Sequence, residues 1–436
     1  MSSSQAPSPA DIRLPESAAR ALPSNWCAQV SAAMARADAH AQDGSGRLSG
    51  VPVYGALATM LVDWHQRRDP SVKAQLINTL DEMAPGVLSA PTRSGFARLA
   101  ADPLRPPVDK TLYDNAQLVP LYAEAAQAFG RADYAGIARE TCASVDGALT
   151  GAHGGVGAAR DDDRVIASQN ALMVRAWAIA GRTLGEPTFV EAAQRTARFI
   201  EQELVVEGRL QHRWRDGRTS RSASVDDLAA VSLAFVDLFE ATGEPAWLAR
   251  AAHRAEELWA LFRNPTDGSL HRMSGPAASL SVRSEPPPFE GEPGAHGQAA
   301  LALARLAVFT GRTELGAHAD AILAERQPLL ERNPRSLGLE GVAAAWRTSP
   351  ARELAVLGAR QDTEALHAEL RRRHLPLLAL AAVSPEKLDE AARLVPWLAN
   401  RGVRPGHAKA YLCEGHRCQL PATTARQLAA QLDGPL

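Results

Sequence analysis

One short phrase recurs four times along this chain: a glycine, two or three polar or proline residues, a bulky apolar residue, then an alanine-rich run. It reads Gly130-Arg-Ala-Asp-Tyr134, Gly185-Glu-Pro-Thr-Phe189, Gly243-Glu-Pro-Ala-Trp247 and Gly311-Arg-Thr-Glu-Leu315. Each copy is a helix stop followed at once by a helix start. Glycine suits the stop because the terminating residue takes positive φ, and proline suits the start because a first-turn N–H has no partner in the helix. Pro187 and Pro245 occupy that second place. The copies are therefore tight turns of antiparallel helical hairpins. They lie 55, 58 and 68 residues apart, room for two helices and one long connection, and a period of this size marks a helical array or a closed ring.

Apolar residues recur at helical spacing over 24–42, 53–66, 70–84, 110–129, 132–147, 165–184, 188–204, 225–242, 246–262, 295–310, 313–326 and 338–347, which predicts twelve helices in six hairpins. Tight glycine turns alternate with long connections over 85–109, 148–164, 205–224 and 263–294, so all the long loops fall on one face. Long loops on a rigid scaffold are where sites collect. After residue 350 the pattern changes. Glu353–Gly358 and Pro376–Val383 are short apolar runs around a charged helix at 362–373, a β-α-β pattern, and Lys409–Cys413 supplies a third run. The chain thus reads as an all-α six-hairpin α/α toroid (α/α barrel) over 24–350, a small α/β appendage over 351–436, and a flexible segment over 1–23.

Composition narrows the function. With 436 residues, 46% of them hydrophobic, a large core is within reach, and a net charge of −2 with interspersed signs offers neither a basic stripe for nucleic acid nor a polybasic patch for membranes. No apolar run reaches spanning length, and Met1–Pro23 lacks a hydrophobic signal region. The expectation is a cytoplasmic protein with a small-molecule, carbohydrate-like ligand and no cofactor. Four cysteines are too few for a disulfide framework and suit a reducing compartment. The pair Cys413 and Cys418, near His407 and His416, fits zinc spacing only loosely, and a structural loop with free thiols is the plainer reading.

The helix openings after the long loops carry most of the chemistry. Lys110, Tyr113, Asp114 and Asn115 make a polar stripe on one helix face, either solvated or lining a pocket. Asp161 to Asp163 and Ser224 with Asp227 fit capping of helix starts, with Asp227 as the third-position acid of a capping box. Asp226 has no such structural use. Four histidines, His153, His212, His271 and His296, fall on the long-loop face, where an acid or base with pKa near the working pH would be wanted. Asp226 with Asp163 or Asp114 could instead form a carboxylate pair for glycoside hydrolysis. The run Arg371-Arg-Arg-His374 ends a helix and reads as a solvated terminus complementing the dipole.

These residues carry a resemblance. Lys110-Thr-Leu-Tyr-Asp-Asn-Ala-Gln-Leu118 resembles the K-M-L-Y-D-N-A signature of the thioredoxin-domain-containing family of YyaL and the spermatogenesis-associated thioredoxin-like proteins. Asp162–Asn170 resembles its D-D-K-x-x-x-x-W-N, Val225-Asp-Asp227 its L-E-D, Ser281-Val-Arg283 its V-R stretch, and Ala410–Gln419 its A-Y-V-C-x-N-F-x-C-Q. The resemblance implies a toroid similar to N-acylglucosamine 2-epimerases and six-hairpin glycosidases, with a pocket in the ring and a small α/β tail. The departures fall where sugars would be handled: P-H-F-E-K becomes Pro106–Lys110, F-H-R-Y becomes Phe96–Leu99, W-N-G becomes Gln169–Ala171, and A-P-K-F-P becomes Gly50–Tyr54. No Cys-x-x-Cys is present, so thiol chemistry of the thioredoxin kind does not carry over.

Two readings result. In one the protein is an epimerase, isomerase or glycosidase acting on a sugar or sugar derivative, with Asp226, His296 and His153 as catalytic candidates, and Lys110, Tyr113, Asp114, Asn115, Asp163, Asn170, Arg283 and His212 as substrate-binding ones. In the other it is a diverged, non-catalytic scaffold for a ligand or partner.

Overall fold

A computed structural model describes residues 22–42, 54–84, 111–159, 162–264, 269–271, 294–415 and 417–434. Within them, twelve helices build the toroid: α1 (Trp26–Gln42), α2 (Tyr54–Arg67), α3 (Pro70–Met83), α4 (Leu112–Phe129), α5 (Ala132–Leu149), α6 (Ala167–Leu184), α7 (Pro187–Glu203), α8 (Val225–Thr242), α9 (Pro245–Phe262), α10 (Ala295–Thr310), α11 (Thr313–Arg332) and α12 (Glu340–Thr348). The even-numbered helices pack against one another in chain order, and α12 returns to α2 to close the ring, while the odd-numbered helices pack outside them. Burial separates the two layers. Inner α8 is buried on nearly every side, whereas outer α7 buries Val190, Ala193, Ala197 and Ile200 along one stripe, as a helix covered on one face only must. At the closing seam Gly341 of α12 lets α2 approach, since a Cβ there would lie 2.3 Å from the Thr59 methyl carbon.

The four recurring glycines end inner helices with φ of 67°, 74°, 66° and 68°. A fifth copy of the same turn follows α2 without a glycine. Arg68 takes the left-handed conformation at φ 53° with its guanidinium over the Trp64 ring, and Asp69 caps α3 by accepting from Ser71 N at 2.9 Å, ahead of Pro70.

Two small sheets accompany the helices. On the long-loop face β3 (Arg209–Arg215) pairs with β1 (Val165–Ile166), β2 (Val205–Val206) and β4 (Arg218–Ser222). In the appendage the order is β6 (Leu378–Val383), β5 (Arg352–Leu357), β7 (Lys409–Glu414), β8 (Arg417–Cys418). Strands β5 and β6 are parallel and joined through α13 (Arg360–Arg371), and the remaining pairs are antiparallel. Short α14 (Leu388–Leu394) packs against ring helix α9, and α15 (Ala425–Asp433) packs against α13 beside this sheet, whose own core includes Leu354, Val356, Leu366, Leu380, Leu412 and Leu428.

The appendage closes the tight-turn end of the ring. Gly243 meets it most closely: a Cβ there would lie 1.7 Å from Ala382 O on β6, so glycine is required by contact as well as by φ. Gln127 donates to Arg371 O at 3.0 Å, and Trp397 Nε1 donates to Val308 O at 3.1 Å. The run expected to be a solvated terminus is part of this plug. Arg373 pairs with Asp433 at 2.7 Å and also with Glu369, and His374 is only 7% exposed.

Candidate functional site

At the long-loop face the first turns of α4, α6 and α8 lie side by side. Asp227 ties the last two together. It completes the capping box with Ser224, accepting from Ser224 N at 2.8 Å and Oγ at 2.9 Å. Its other oxygen accepts from Ser168 N at the start of α6, 3.0 Å away, and Oδ2 also lies 2.8 Å from His212 Nδ1 on β3. The carboxylate is fully buried, and His212 is half-buried with its side chain 32% exposed. An acceptor-only carboxylate at Nδ1 means that Nδ1 carries the hydrogen, leaving Nε2 as the base of the neutral ring. The same hydrogen bond raises the His212 pKa above its ordinary value against the opposing effect of burial. The capping role expected of Asp227 is present, and the residue has a second use that the capping pattern alone does not reveal.

The other expected site residues fall into separate patches. His153, a catalytic candidate, is exposed, accepts from Gly155 N at 3.0 Å and packs its ring 4.5 Å from Trp214 and 5.0 Å from Phe199 on outer α7. Asp163 is exposed and faces Arg215 at 3.0 Å. Asn170 has a structural job: its Nδ2 donates to Val156 O at 2.9 Å and Ile166 O at 3.1 Å, and its Oδ1 accepts from Val156 N at 2.9 Å. Those bonds pin the connection before α6, which in turn accepts from Leu112 N through Ala158 O. Asp114 accepts from Thr111 Oγ1 at 2.6 Å, and Asn115 donates to Thr111 O at 2.8 Å, both buried at the start of α4 with Tyr113 packed against the core. Asp226 is half-buried in the first turn of α8. His296 is buried at the start of α10, with Nε2 3.7 Å from Glu325 on outer α11. Lys110 and Arg283 lie outside the described residues.

Strand β3 gathers four histidines and acids. His212 meets Asp227, Trp214 meets His153, and Arg215 meets Asp163. Among the described residues, the pair organised on β3 is His212 with Asp227, while His153 packs against Trp214 and His296 stands at the start of α10.

The lumen holds a second polar group that the motifs did not indicate. Asp237 and Glu240, one turn apart on α8, bridge their neighbours: Arg305 of α10 reaches Asp237 at 2.7 Å and Glu240 at 3.1 Å, and Arg175 and Arg182 of α6 reach them at 3.0 and 3.6 Å. These groups, Glu124 and His374 line a cavity of about 90 Å³ closed by the appendage. Burial pushes the Glu124 carboxyl above the usual range, and burial beside His65 and Arg68 pushes His374 down to about 3. Charges set in apolar runs such as Leu172–Ile179, Val231–Phe239 and Ala299–Leu306 were the available signal, because on an inner helix a charge must find a partner or the lumen.

A ring of six helical hairpins, closed at one end and bearing its polar groups on inner helices, defines the class as an α/α toroid with an α/β appendage. In that class the chain resembles solved structures of cellobiose 2-epimerase from Spirochaeta thermophila (TM-score 0.55, 16% identity, 69% of this chain and 87% of that one) and the GH76 α-mannanase from Bacteroides thetaiotaomicron (0.53, 12%, 69% and 82%). It also resembles unsaturated glucuronyl hydrolase from Bacillus sp. GL1 (0.51, 15%, 70% and 84%). At these identities the likeness concerns the fold. By sequence the chain is similar to spermatogenesis-associated protein 20: 26% identical over 280 residues to the Homo sapiens protein, covering 61% of this chain and 36% of that one, and 25% to the Mus musculus protein, covering 61% and 35%. The match spans about a third of the length of these relatives. No family profile matches the chain.

Proposed function

We propose that the protein acts on a small sugar or sugar derivative by acid–base chemistry, as an epimerase or isomerase does, with His212 as the titrating group and Asp227 as the residue that orients it. One observation carries this reading: a half-buried imidazole whose Nδ1 is held at 2.8 Å by a buried carboxylate, itself fixed by the backbone of two inner helices. Proton transfer beside a carbonyl needs a base whose pKa lies near the working pH, with its tautomer fixed before substrate arrives. The Asp227 carboxylate fixes the tautomer and raises the imidazole pKa above its ordinary value, which supports this role. Epimerases and glycosidases among the solved structures of similar fold make sugars the ligand class to try first.

The scaffold reading has its own support. The lumen cavity of about 90 Å³ is well under the roughly 300 Å³ at which small-molecule sites begin, and Asn170 has its amide committed to the backbone. Thermal-shift measurement against monosaccharides, disaccharides and sugar phosphates separates the two. The enzyme reading expects stabilisation by some member of the panel that His212→Gln removes. Stabilisation by none of them favours the scaffold.

A further inference from the structure

Cys413 and Cys418 face each other across the β7–β8 ladder and are joined by a disulfide, which corrects the expectation of free thiols and removes them as a zinc pair. The two sulfurs are unlike. Cys413 is buried, 1% exposed, whereas Cys418 is exposed on the edge strand β8. One cation lies on both: Arg401 Nη2 is 3.0 Å from Cys413 Sγ and 3.6 Å from Cys418 Sγ. Arg401 is itself anchored, donating to Tyr411 O at 3.3 Å and lying over the Trp397 and Tyr411 rings. The ladder does not depend on the disulfide. Gln419 N bonds to Leu412 O, and Ala410 and Ala422 exchange both of their backbone hydrogen bonds.

We propose that Cys413–Cys418 is a thiol–disulfide exchange site that accepts two electrons from an external dithiol, with Cys418 as the sulfur attacked and Cys413 as the sulfur that leaves. A thiolate of the dithiol approaches Cys418 Sγ from solvent and forms a mixed disulfide. The Cys413–Cys418 bond breaks, and its electron pair departs on Cys413 Sγ as a thiolate facing Arg401. The second thiol of the reductant then closes on its partner sulfur, releasing Cys418. The protein ends with two thiols, the reductant as a disulfide, and the two protons pass from reductant to protein. Exchange is faster when the leaving thiol has a low pKa and when the attacked sulfur is accessible, and a guanidinium beside Cys413 meets the first condition as exposure of Cys418 meets the second. A bridge spanning a sequence separation of 5 constrains the unfolded chain less than a longer loop would, and with the ladder hydrogen bonds independent of it, reduction should leave the fold standing. The remaining described thiols lack these features: Cys27 and Cys142 are buried, and burial pushes Cys27 up to about 12.

The test uses the full chain purified without reductant. Intact mass should show the bridge formed, and dithiothreitol should open it in the folded state. Exposed to glutathione disulfide, Cys413→Ser should acquire one glutathione on Cys418, while Cys418→Ser should acquire none on Cys413. Arg401→Gln should slow reduction by dithiothreitol roughly three- to tenfold, with Arg401→Lys retaining most of the rate. The proposal is overturned if the pair is isolated as free thiols, if the bridge opens only after unfolding, if glutathione is captured on Cys413, or if the folded Arg401→Gln variant is reduced at the wild-type rate.

Discussion

Asp227 shows how one residue type in one place can serve two ends. Its carboxylate satisfies backbone donors of α6 and α8 and also holds His212. Asp227→Asn should therefore weaken the capping box and the charge-assisted bonds from Ser224 and Ser168, costing about 1 kcal/mol or more, measured as a lowered urea midpoint, and should bring the His212 pKa down, measured by imidazole NMR titration. The sign of the pH effect follows from the raised pKa of His212 in the folded state. The charged pair stabilises fully below the ordinary histidine value near 6.5, and its contribution fades as pH rises through the higher folded value. The wild type should show that loss on going from pH 6 to pH 9, and Asp227→Asn should show less of it. Arg305 belongs to the same scale. Removing it leaves Asp237 and Glu240, 3% and 4% exposed, short of their closest cation, so Arg305→Ala should cost about 3–5 kcal/mol by chemical denaturation.

Among elements, the glycine turns divide into those that only turn and those that also dock. Gly130 has φ 67° and nothing within 4 Å of where a methyl would stand, while Gly243 has φ 66° and Ala382 O in the way. Gly130→Ala should cost about 1–2 kcal/mol, the left-handed penalty alone. Gly243→Ala should cost more and should loosen β6 from α8, visible as faster amide exchange over Leu378–Val383. Helix existence and alternation were legible in the sequence because inner and outer helices differ in periodicity and because glycine and proline punctuate them. The fifth turn was not, since Arg68 reaches the same φ without glycine. Nor could spacing show that β3 would carry His212 to Asp227, a contact 15 residues apart made by a strand and a helix start. Its pattern could only place both on the long-loop face.

At the scale of the whole molecule the tail is a plug, and the seam it makes should be sensitive to acid. Burial pushes His374 down to about 3, and His65 and His367 to about 4. The unfolded chain therefore binds more protons below about pH 6.5, and stability should fall from pH 7 towards pH 4. Thermal melts across that range should show it, with His374→Phe less affected. What the sequence left unread here was the meeting of two units: Arg371–His374 follows a helix-end pattern, and only the packed ring shows what it faces. The motifs pointed to the long-loop face and named Asp226; on that face the ordered pair is Asp227 with His212, on which the proposed function rests. The most direct measurement of that assignment is exchange of carbon-bound hydrogen beside the carbonyl, followed by proton NMR, when the full chain is incubated with aldoses, ketoses and disaccharides in D₂O. With His212 as the base, exchange should occur for at least one sugar and fall about 100-fold or more in a folded His212→Gln variant. Exchange in none of the sugars, or exchange undiminished in that variant, would contradict it.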